Sequence, residues 1–534
     1  MFRLAAGLLF LILIFLPAPA ASGRWPVLDR AVPFEALALA AVIALPALRR
    51  GRWPKAVRAV LAILGLAAAV IGFADAEAPA LMGRDLDFSA DLAHAGSVIA
   101  LLAASASPVQ IVLATLAACL VPVLLFLAMQ AALGAVERGL DAAPRRAAAL
   151  LAAAILVAAL SGSEVVSHRA IAAIEKQRGK LADAWRATHG ERDQFLAGLG
   201  PPPRTDGDLA RLGGRDVYVI FIESYGAVLL DAPEFKPRAA AALARFDTAV
   251  AGAGFTLRSA RIASPTYGGG SWLAHGTVDS GAWLDSELRY ELLTTTDRPT
   301  WPRLMAKAGY QTMDALPGLK EPLDSAAFWG FDHMVGTDQL GYSGPSFGWF
   351  GVPDQFALGA IAALPRAAGK PLFVQIVLVS SHMPFSPLPP YVEDWSDAGR
   401  FASHPEVART LETPPDWQNL AAPYLDSVDY DLRVLGDWIP RTVRGNALVI
   451  ILGDHQPPAL IGTASASHDV PIHVLSRDPE IVRAVAGPGY ADGALPGGSA
   501  GNMADLLPNF LERLSSPQAS AKPQTGATAP RQPG

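Results

Sequence analysis

The stretch Asn446-Ala-Leu-Val-Ile-Ile-Leu-Gly-Asp-His455 decides the fold. Its apolar centre, with β-branched Val449, Ile450 and Ile451 in succession, reads as a strand buried in a parallel sheet. The strand stops at Gly453, and an aspartate and a histidine follow at once. Two earlier apolar runs end in the same manner. Val217-Tyr-Val-Ile-Phe-Ile222 runs into Glu223, and Leu372-Phe-Val-Gln-Ile-Val-Leu-Val379 runs into Ser380-Ser-His382. Ligands of open α/β sheets bind beyond the carboxyl ends of the strands. Glu223, His382, Asp454 and His455 are therefore expected at one sheet edge, where carboxylates and imidazoles together suit a divalent metal.

Working outward, strands and helices alternate. Strand 216–222 precedes a helical stretch near 233–250. A helix over Thr300–Gly309 leads into a strand near 311–316. Then come strand 371–379, a helix near 418–439, strand 446–452 and strand 471–476. This βα repeat predicts a mostly parallel sheet sandwiched by helices.

A second element is Ser264-Pro-Thr-Tyr-Gly-Gly-Gly-Ser271-Trp-Leu-Ala-His-Gly-Thr. Three glycines ending at Gly270 let backbone approach a ligand closely, and Ser271 is placed to cap the helix that follows. Free amides at that helix start favour an anion such as phosphate. Beside a cation, the Ser271 oxygen becomes a nucleophile. His275 lies one turn later, where it faces the same pocket or, as the first expectation, a solvated helix face. His468, in Ser-His-Asp-Val-Pro-Ile, precedes the last strand and is a candidate for the same edge. His333, His404 and His473 receive no role.

The chain has 534 residues, 51% hydrophobic and 17% charged, and its mean hydropathy is positive. The apolarity is concentrated before residue 165, which predicts a membrane part (1–165) ahead of one α/β domain (215–515). Five apolar segments, roughly 4–21, 32–48, 56–75, 108–134 and 147–163, approach the ~20 residues of a spanning helix. Arg49, Arg50, Arg52, Lys55 and Arg58 crowd the second connection, and Arg138, Arg145 and Arg146 the fourth. Glu77, Asp85, Asp87 and Asp91 mark the third. The positive-inside rule then puts the α/β domain outside the cytoplasm. The first segment reads as a retained helix or, through Pro17-Ala-Pro-Ala-Ala21, as a cleaved secretory signal. Stretch 94–106 reads as an interfacial helix or a loop. Residues 166–214 form a connector that opens on an exposed amphipathic helix, and 516–534 read as a disordered tail. A net charge of −6 gives no footprint for nucleic acid. Cys119 is the sole cysteine, which excludes an intramolecular disulfide and a cysteine nucleophile after residue 165.

These motifs resemble the alkaline phosphatase/sulfatase superfamily, above all the membrane-anchored lipoteichoic acid synthases and the phosphoethanolamine or phosphoglycerol transferases. Ile222-Glu223-Ser-Tyr-Gly226 is similar to their first metal-ligand strand end, and Leu452-Gly-Asp454-His455 to their second. Gly270-Ser271 stands where they carry a threonine nucleophile. Ser381-His382-Met-Pro-Phe385 resembles their phosphate-contacting histidine motif, and Gly330-Phe-Asp332 and Trp349-Phe-Gly-Val-Pro-Asp354 resemble connecting features. Lys320-Glu-Pro-Leu-Asp324 occupies the region where the synthases hold phosphoglycerol with aromatic and arginine side chains. Sulfatases make formylglycine within a motif that has proline and arginine just downstream. Trp-Leu-Ala-His follows Ser271 instead.

The resemblance implies an enzyme of the inner, cytoplasmic membrane, multi-pass, with a periplasmic or extracellular catalytic domain of alkaline phosphatase-like fold. Ser271 would take the headgroup of a phospholipid donor and pass it to a glycan or lipid acceptor. Glu223, Ser271, Asp454 and His455 would hold one divalent metal, Mn2+ or Zn2+. His382, His468 and Gly270 would contact the substrate, with His382 also catalytic. A phosphodiesterase or sulfatase-like hydrolase at the same site, and a catalytically dead membrane sensor or scaffold, are the rival expectations.

Overall fold

A computed structural model describes residues 2–15, 32–49, 51–82, 108–140, 144–160, 166–190 and 192–516, apart from 321–322, 349, 396–406, 413–414, 418 and 462–466, with scattered residues between 84 and 106. The proposed cleavage motif, His404 and the tail after 516 lie outside them, as does most of stretch 94–106.

Apolar helices occupy the first part: α1 (Phe2–Phe15), α2 (Phe34–Ala44), α3 (Lys55–Met82), α4 (Pro108–Leu140) and α5 (Pro144–Leu160). Among the described residues, two helices are long and apolar enough to cross a membrane, Lys55–Pro79 and Pro108–Leu140. Every residue over 108–125 is exposed, an uncharged stretch dominated by Val, Leu, Ile and Ala that water does not favour. Charges gather at the ends of these helices. Arg58 reaches the buried Glu137 carboxylate at 2.9 Å, and Lys176 reaches Asp75 at 3.0 Å. Helix α6 (Arg169–His189) follows, burying Ala170, Ala173, Gln177 and Ala187. A Cβ on Gly72 of α3 would lie 3.0 Å from Ala170, so the two helices touch backbone to backbone. The other face of α6 is less polar than an amphipathic connector requires, since Ile171, Ile174, Leu181 and Trp185 are exposed.

The α/β domain is built on one nine-stranded sheet. Its strands are β1 (Val217–Ile222), β2 (Thr256–Ala263), β3 (Gln311–Ala315), β4 (His333–Val335), β5 (Leu372–Leu378), β6 (Leu448–Gly453), β7 (Asp469–Ser476), β8 (Ala491–Asp492) and β9 (Ser499–Asn502). The order is β8-β2-β7-β6-β1-β5-β3-β4, and β9 also pairs with β2. Strands β6, β1, β5, β3 and β4 are parallel, as the βα reading expects. Strand β7 is antiparallel to both β6 and β2. Strand β2 escapes the sequence reading because Arg258 and Arg261 interrupt its apolar pattern; they pair with Asp492 and Asp231.

Alternation along each central strand feeds two cores. Tyr218, Ile220 and Ile222 face α7 (Lys236–Gly252), α9 (Asp354–Ala362) and α10 (Ala421–Thr442), where Phe246, Tyr424 and Trp438 are buried. Val217, Val219 and Phe221 face α8 (Ser271–Ser280) and α11 (Leu506–Leu514), where Trp301 packs on Phe510 at 4.8 Å. Helices thus cover both sheet faces, and the carboxyl strand ends stay clear.

Under α8 this second core contains a polar patch. Asp279 of α8 is buried near Asp314 of β3 and Gln375 of β5, and Gln375 Nε2 lies 3.5 Å from Asp314 Oδ1. Burial pushes the Asp314 carboxyl up to about 7. The stability tied to its protonated form is full below the ordinary value of 3.8 and is lost progressively as pH rises from there to about 7. Asp314→Asn, neutral at every pH, escapes that loss. Its melting temperature should match wild type near pH 4 and exceed it by about 5 °C at pH 8.5. A wild-type protein that is the more stable at pH 8.5 would show that the patch is satisfied when charged.

Candidate active site

Register places the candidate ligands level with one another. Ile222 of β1 stands opposite Leu378 of β5 and Gly453 of β6, so Glu223 and Asp454 leave the sheet side by side. Gly453 is required here, because a Cβ would fall 2.0 Å from the Tyr225 carbonyl oxygen. Ser224 adopts a left-handed φ of 55°, and its N–H donates to Asp454 Oδ1 at 2.8 Å. The His455 N–H donates to the same oxygen at 2.7 Å. Asp454 Oδ2 is buried with no hydrogen-bond partner.

The glycine run brings in Ser271. Gly268, Gly269 and Gly270 all have positive φ. Gly270, at φ 79°, takes the cap position expected for Ser271, and its carbonyl accepts the Leu273 N–H at 2.9 Å. Ser271 is instead the first residue of α8. Its Oγ lies 3.1 Å from Glu223 Oε2 and 3.2 Å from His455 Nε2.

Glu223, Asp454 and His455 are buried, and one ligand atom from each lies within 4.8 Å of the others. His455 Nε2 is 3.4 Å from Glu223 Oε1 and 3.6 Å from Asp454 Oδ2. Among the described residues no lysine or arginine pairs with either carboxylate. Burial, then the neighbouring Glu223, pushes Asp454 up to about 6. For His455, burial alone lowers the pKa, but the Asp454 and Glu223 charges outweigh it and the net direction is up. Its Nδ1 faces the Gln456 carbonyl at 2.7 Å, so Nδ1 carries the proton and Nε2 turns a lone pair on the cluster. Two carboxylates, an unpartnered buried oxygen and an imidazole lone pair converge without a cation. That donor set fits a divalent metal, with Ser271 Oγ at its edge.

The other predicted residues lie at varied distances. His382 follows β5 at the same edge, close enough for Asp454 and His455 to act on its charge. Burial pushes it down to about 4, so it is neutral at pH 7. Its Nδ1 donates to the Met383 carbonyl at 2.7 Å, which leaves Nε2 as an acceptor. His275 does not sit on a solvated face. Its Nε2 is buried without a partner, its ring is 4.3 Å from that of Phe221, and burial pushes it down to about 4. His468 packs edge-on to Tyr267 at 5.6 Å, and its carbonyl accepts the Ser264 N–H. Among the described contacts, none joins His468 to Ser271 or the metal-type residues. His473 belongs to the core, between Tyr225 and Ser259.

Sequence reading missed the residues that brace these groups. Ser264 Oγ donates to the Asp454 carbonyl at 2.5 Å. Tyr424 donates to the Ser224 carbonyl at 2.9 Å. Asp354, Ser381 and Asp431 form a buried polar cluster behind Glu223. Tyr424 and Asp431 lie on an amphipathic helix, where only the three-dimensional neighbours distinguish them from core-facing residues. Helix α3 also reaches the site. A Cβ on Gly268 would lie 3.0 Å from the carbonyl of Met82, the last residue of α3.

Residues 286–472 match the family model described as Sulfatase. No curated protein sequence matches the chain. Among solved structures, the chain is similar to the lipoteichoic acid synthase LtaP from Listeria monocytogenes, with 16% identity and a TM-score of 0.39, covering 61% of this chain and 78% of that one. It is similar to the phosphoglycerol transferase GacH of Streptococcus pyogenes in complex with sn-glycerol-1-phosphate, with 12% identity and a TM-score of 0.34 over 55% and 75% of the two chains. It is similar to the lipooligosaccharide phosphoethanolamine transferase A from Neisseria meningitidis, with 12% identity and a TM-score of 0.40 over 86% and 84%. Over residues 286–472 the α/β domain is thus similar to the sulfatase family, and it is the domain of an enzyme.

Proposed function

We propose that the protein is a membrane-bound phosphotransferase that moves a phospholipid headgroup, of phosphoglycerol or phosphoethanolamine type, through Ser271 to a glycan or lipid acceptor. The observation that carries this reading is the position of Ser271 Oγ, 3.1 Å from Glu223 Oε2 and 3.2 Å from His455 Nε2 at a helix start. An unmodified serine there suits phosphoryl transfer, because the residues after it lack the proline and arginine of formylglycine motifs. Mn2+ or Zn2+ held by Glu223, Asp454 and His455 would lower the Ser271 pKa and offset charge on the phosphoryl oxygens.

In the first step Ser271 Oγ bonds to phosphorus as the bond to the diacylglycerol oxygen breaks. The proton that Ser271 loses is taken up by the departing diacylglycerol oxygen. In the second step an acceptor hydroxyl displaces Ser271. His382 Nε2, left free by the Met383 hydrogen bond, receives the acceptor proton. The start of α8 offers free amide groups to the phosphoryl oxygens.

The membrane contact supports a lipid donor. Ser271 follows Gly268 by three residues, so it lies within about 11 Å of Gly268, which touches the end of α3. By the positive-inside rule the basic residues around Arg49–Arg58 favour a cytoplasmic start for α3, which supports a position of Met82 and the site at the periplasmic or extracellular headgroup layer. In this reading residues 1–165 form a multi-pass anchor. The full-length protein in liposomes of phosphatidylglycerol and phosphatidylethanolamine, supplied with Mn2+ or Zn2+, should release diacylglycerol, faster when a saccharide acceptor is added. Diacylglycerol release from neither lipid, with hydrolysis of a sulfate ester instead, would contradict the proposal.

A further inference from the structure

Glu223 and His382 come from different strands, yet their relative position is held by one buried hydroxyl. Ser381 Oγ lies 2.7 Å from the Glu223 carbonyl oxygen and 2.6 Å from Asp431 Oδ2. Ser381 and Asp431 are both fully buried. The Glu223 N–H meanwhile donates to the Leu378 carbonyl at 3.3 Å, so the backbone of Glu223 is tied on both sides to the strand and turn that carry His382.

The same turn is gripped from α9. The Asp354 carboxylate accepts the Val379 N–H at 2.9 Å and 3.0 Å through its two oxygens, and the Ser380 N–H at 2.6 Å. Asp354 and Asp431 act on each other, and among the described residues no lysine or arginine pairs with either. Two buried carboxyl groups without a cation share a proton rather than carry two charges. Asp354, with backbone donors already on both oxygens, is the ionised partner, and Asp431 is the neutral one.

We propose that Asp431 is a positioning residue: acting through Ser381, it sets the His382 turn against Glu223. Ser381 Oγ donates between two acceptors, the Glu223 carbonyl and Asp431 Oδ2, and a neutral Asp431 turns its own proton toward Asp354. Asp431→Asn keeps an acceptor for Ser381 and a donor for Asp354, whereas Asp431→Ala leaves both facing a void.

This inference rests on the phosphotransferase reading for its kinetic test, and a second measurement is independent of it. The full-length Asp431→Asn, Asp431→Ala and Ser381→Ala proteins are compared in the same liposomes. Diacylglycerol release gives kcat and KM, and peptide mass spectrometry gives the rate at which diethyl pyrocarbonate modifies His382. Misplacement by ~1 Å costs up to about 100-fold in rate, so Asp431→Ala and Ser381→Ala should lose roughly 10- to 100-fold in kcat with KM within about threefold. Bound metal should be unchanged, and the His382 modification rate should move severalfold. Asp431→Asn should stay within about threefold of wild type on both readouts, as expected where a neutral donor suffices. Wild-type kcat and His382 reactivity in Ser381→Ala would overturn the proposal, as would an Asp431→Asn protein as impaired as Asp431→Ala. If Asp431→Ala does not fold, the other two variants decide. If the wild-type protein releases no diacylglycerol, the functional reading fails while His382 reactivity still decides the positioning role.

Discussion

Replacing Ser271 with alanine should lower diacylglycerol release by roughly 10³-fold or more, because it removes the group that forms the covalent bond. Metal binding should persist, since Glu223, Asp454 and His455 converge on one another without Ser271. Lipid binding should persist as well. The local fold has little reason to fail, because Gly270, not Ser271, occupies the helix cap. Ser271→Thr keeps a hydroxyl at the same place and should retain part of the rate. Thr266 provides the control: its hydroxyl is buried in the same loop and makes no hydrogen bond. If Thr266→Ala abolished turnover and Ser271→Ala did not, the nucleophile would lie at the opposite end of the glycine run.

The second large effect concerns Asp454. Asp454→Asn keeps an oxygen to accept the Ser224 and His455 N–H groups, so it avoids orphaning two buried donors. It removes the negative charge and can present an amide in place of the unpartnered Oδ2. Loss of a supporting group around a metal costs 10- to 100-fold in affinity, and loss of a ligand should exceed about 100-fold. Turnover should fall with it. Stability separates this from misfolding. Asp454, pushed up to about 6, is ionised at pH 8, so its contribution to the metal-free protein is lost as pH rises through about 6. The metal-free variant should therefore melt at or above the metal-free wild type at pH 8. Only the wild type should gain stability on adding Zn2+ or Mn2+. A variant stabilised by metal as strongly as wild type would move the site elsewhere.

Much of the parallel sheet was legible because parallel strands buried on both faces leave long apolar runs. β1, β5 and β6 are such runs, and their ends carry Glu223, His382 and Asp454-His455. Ser271 was legible through its glycines, since closely approaching backbone demands them. Strand β2 was not, because edge-side arginines with acidic partners break its pattern. The bracing residues were hidden for another reason. Asp354, Ser381 and Asp431 are ordinary polar letters far apart in sequence, and only burial makes them a cluster. His275 was read as solvated because helical spacing alone does not say which neighbour covers a ring. Here Phe221 does. The contact between Met82 and Gly268 joins two segments that no local pattern connects.

The central claim is that Ser271 becomes covalently loaded with a phospholipid headgroup. Peptide mass spectrometry of the full-length protein, acid-quenched after incubation with liposomes, metal and no acceptor, tests this most directly. The account predicts a mass increase on the peptide containing Ser271, equal to a phosphoglycerol or a phosphoethanolamine group and absent from the Ser271→Ala protein. Diacylglycerol release accompanied by an adduct on another residue, or sustained turnover through which Ser271 can be replaced by alanine, would contradict it.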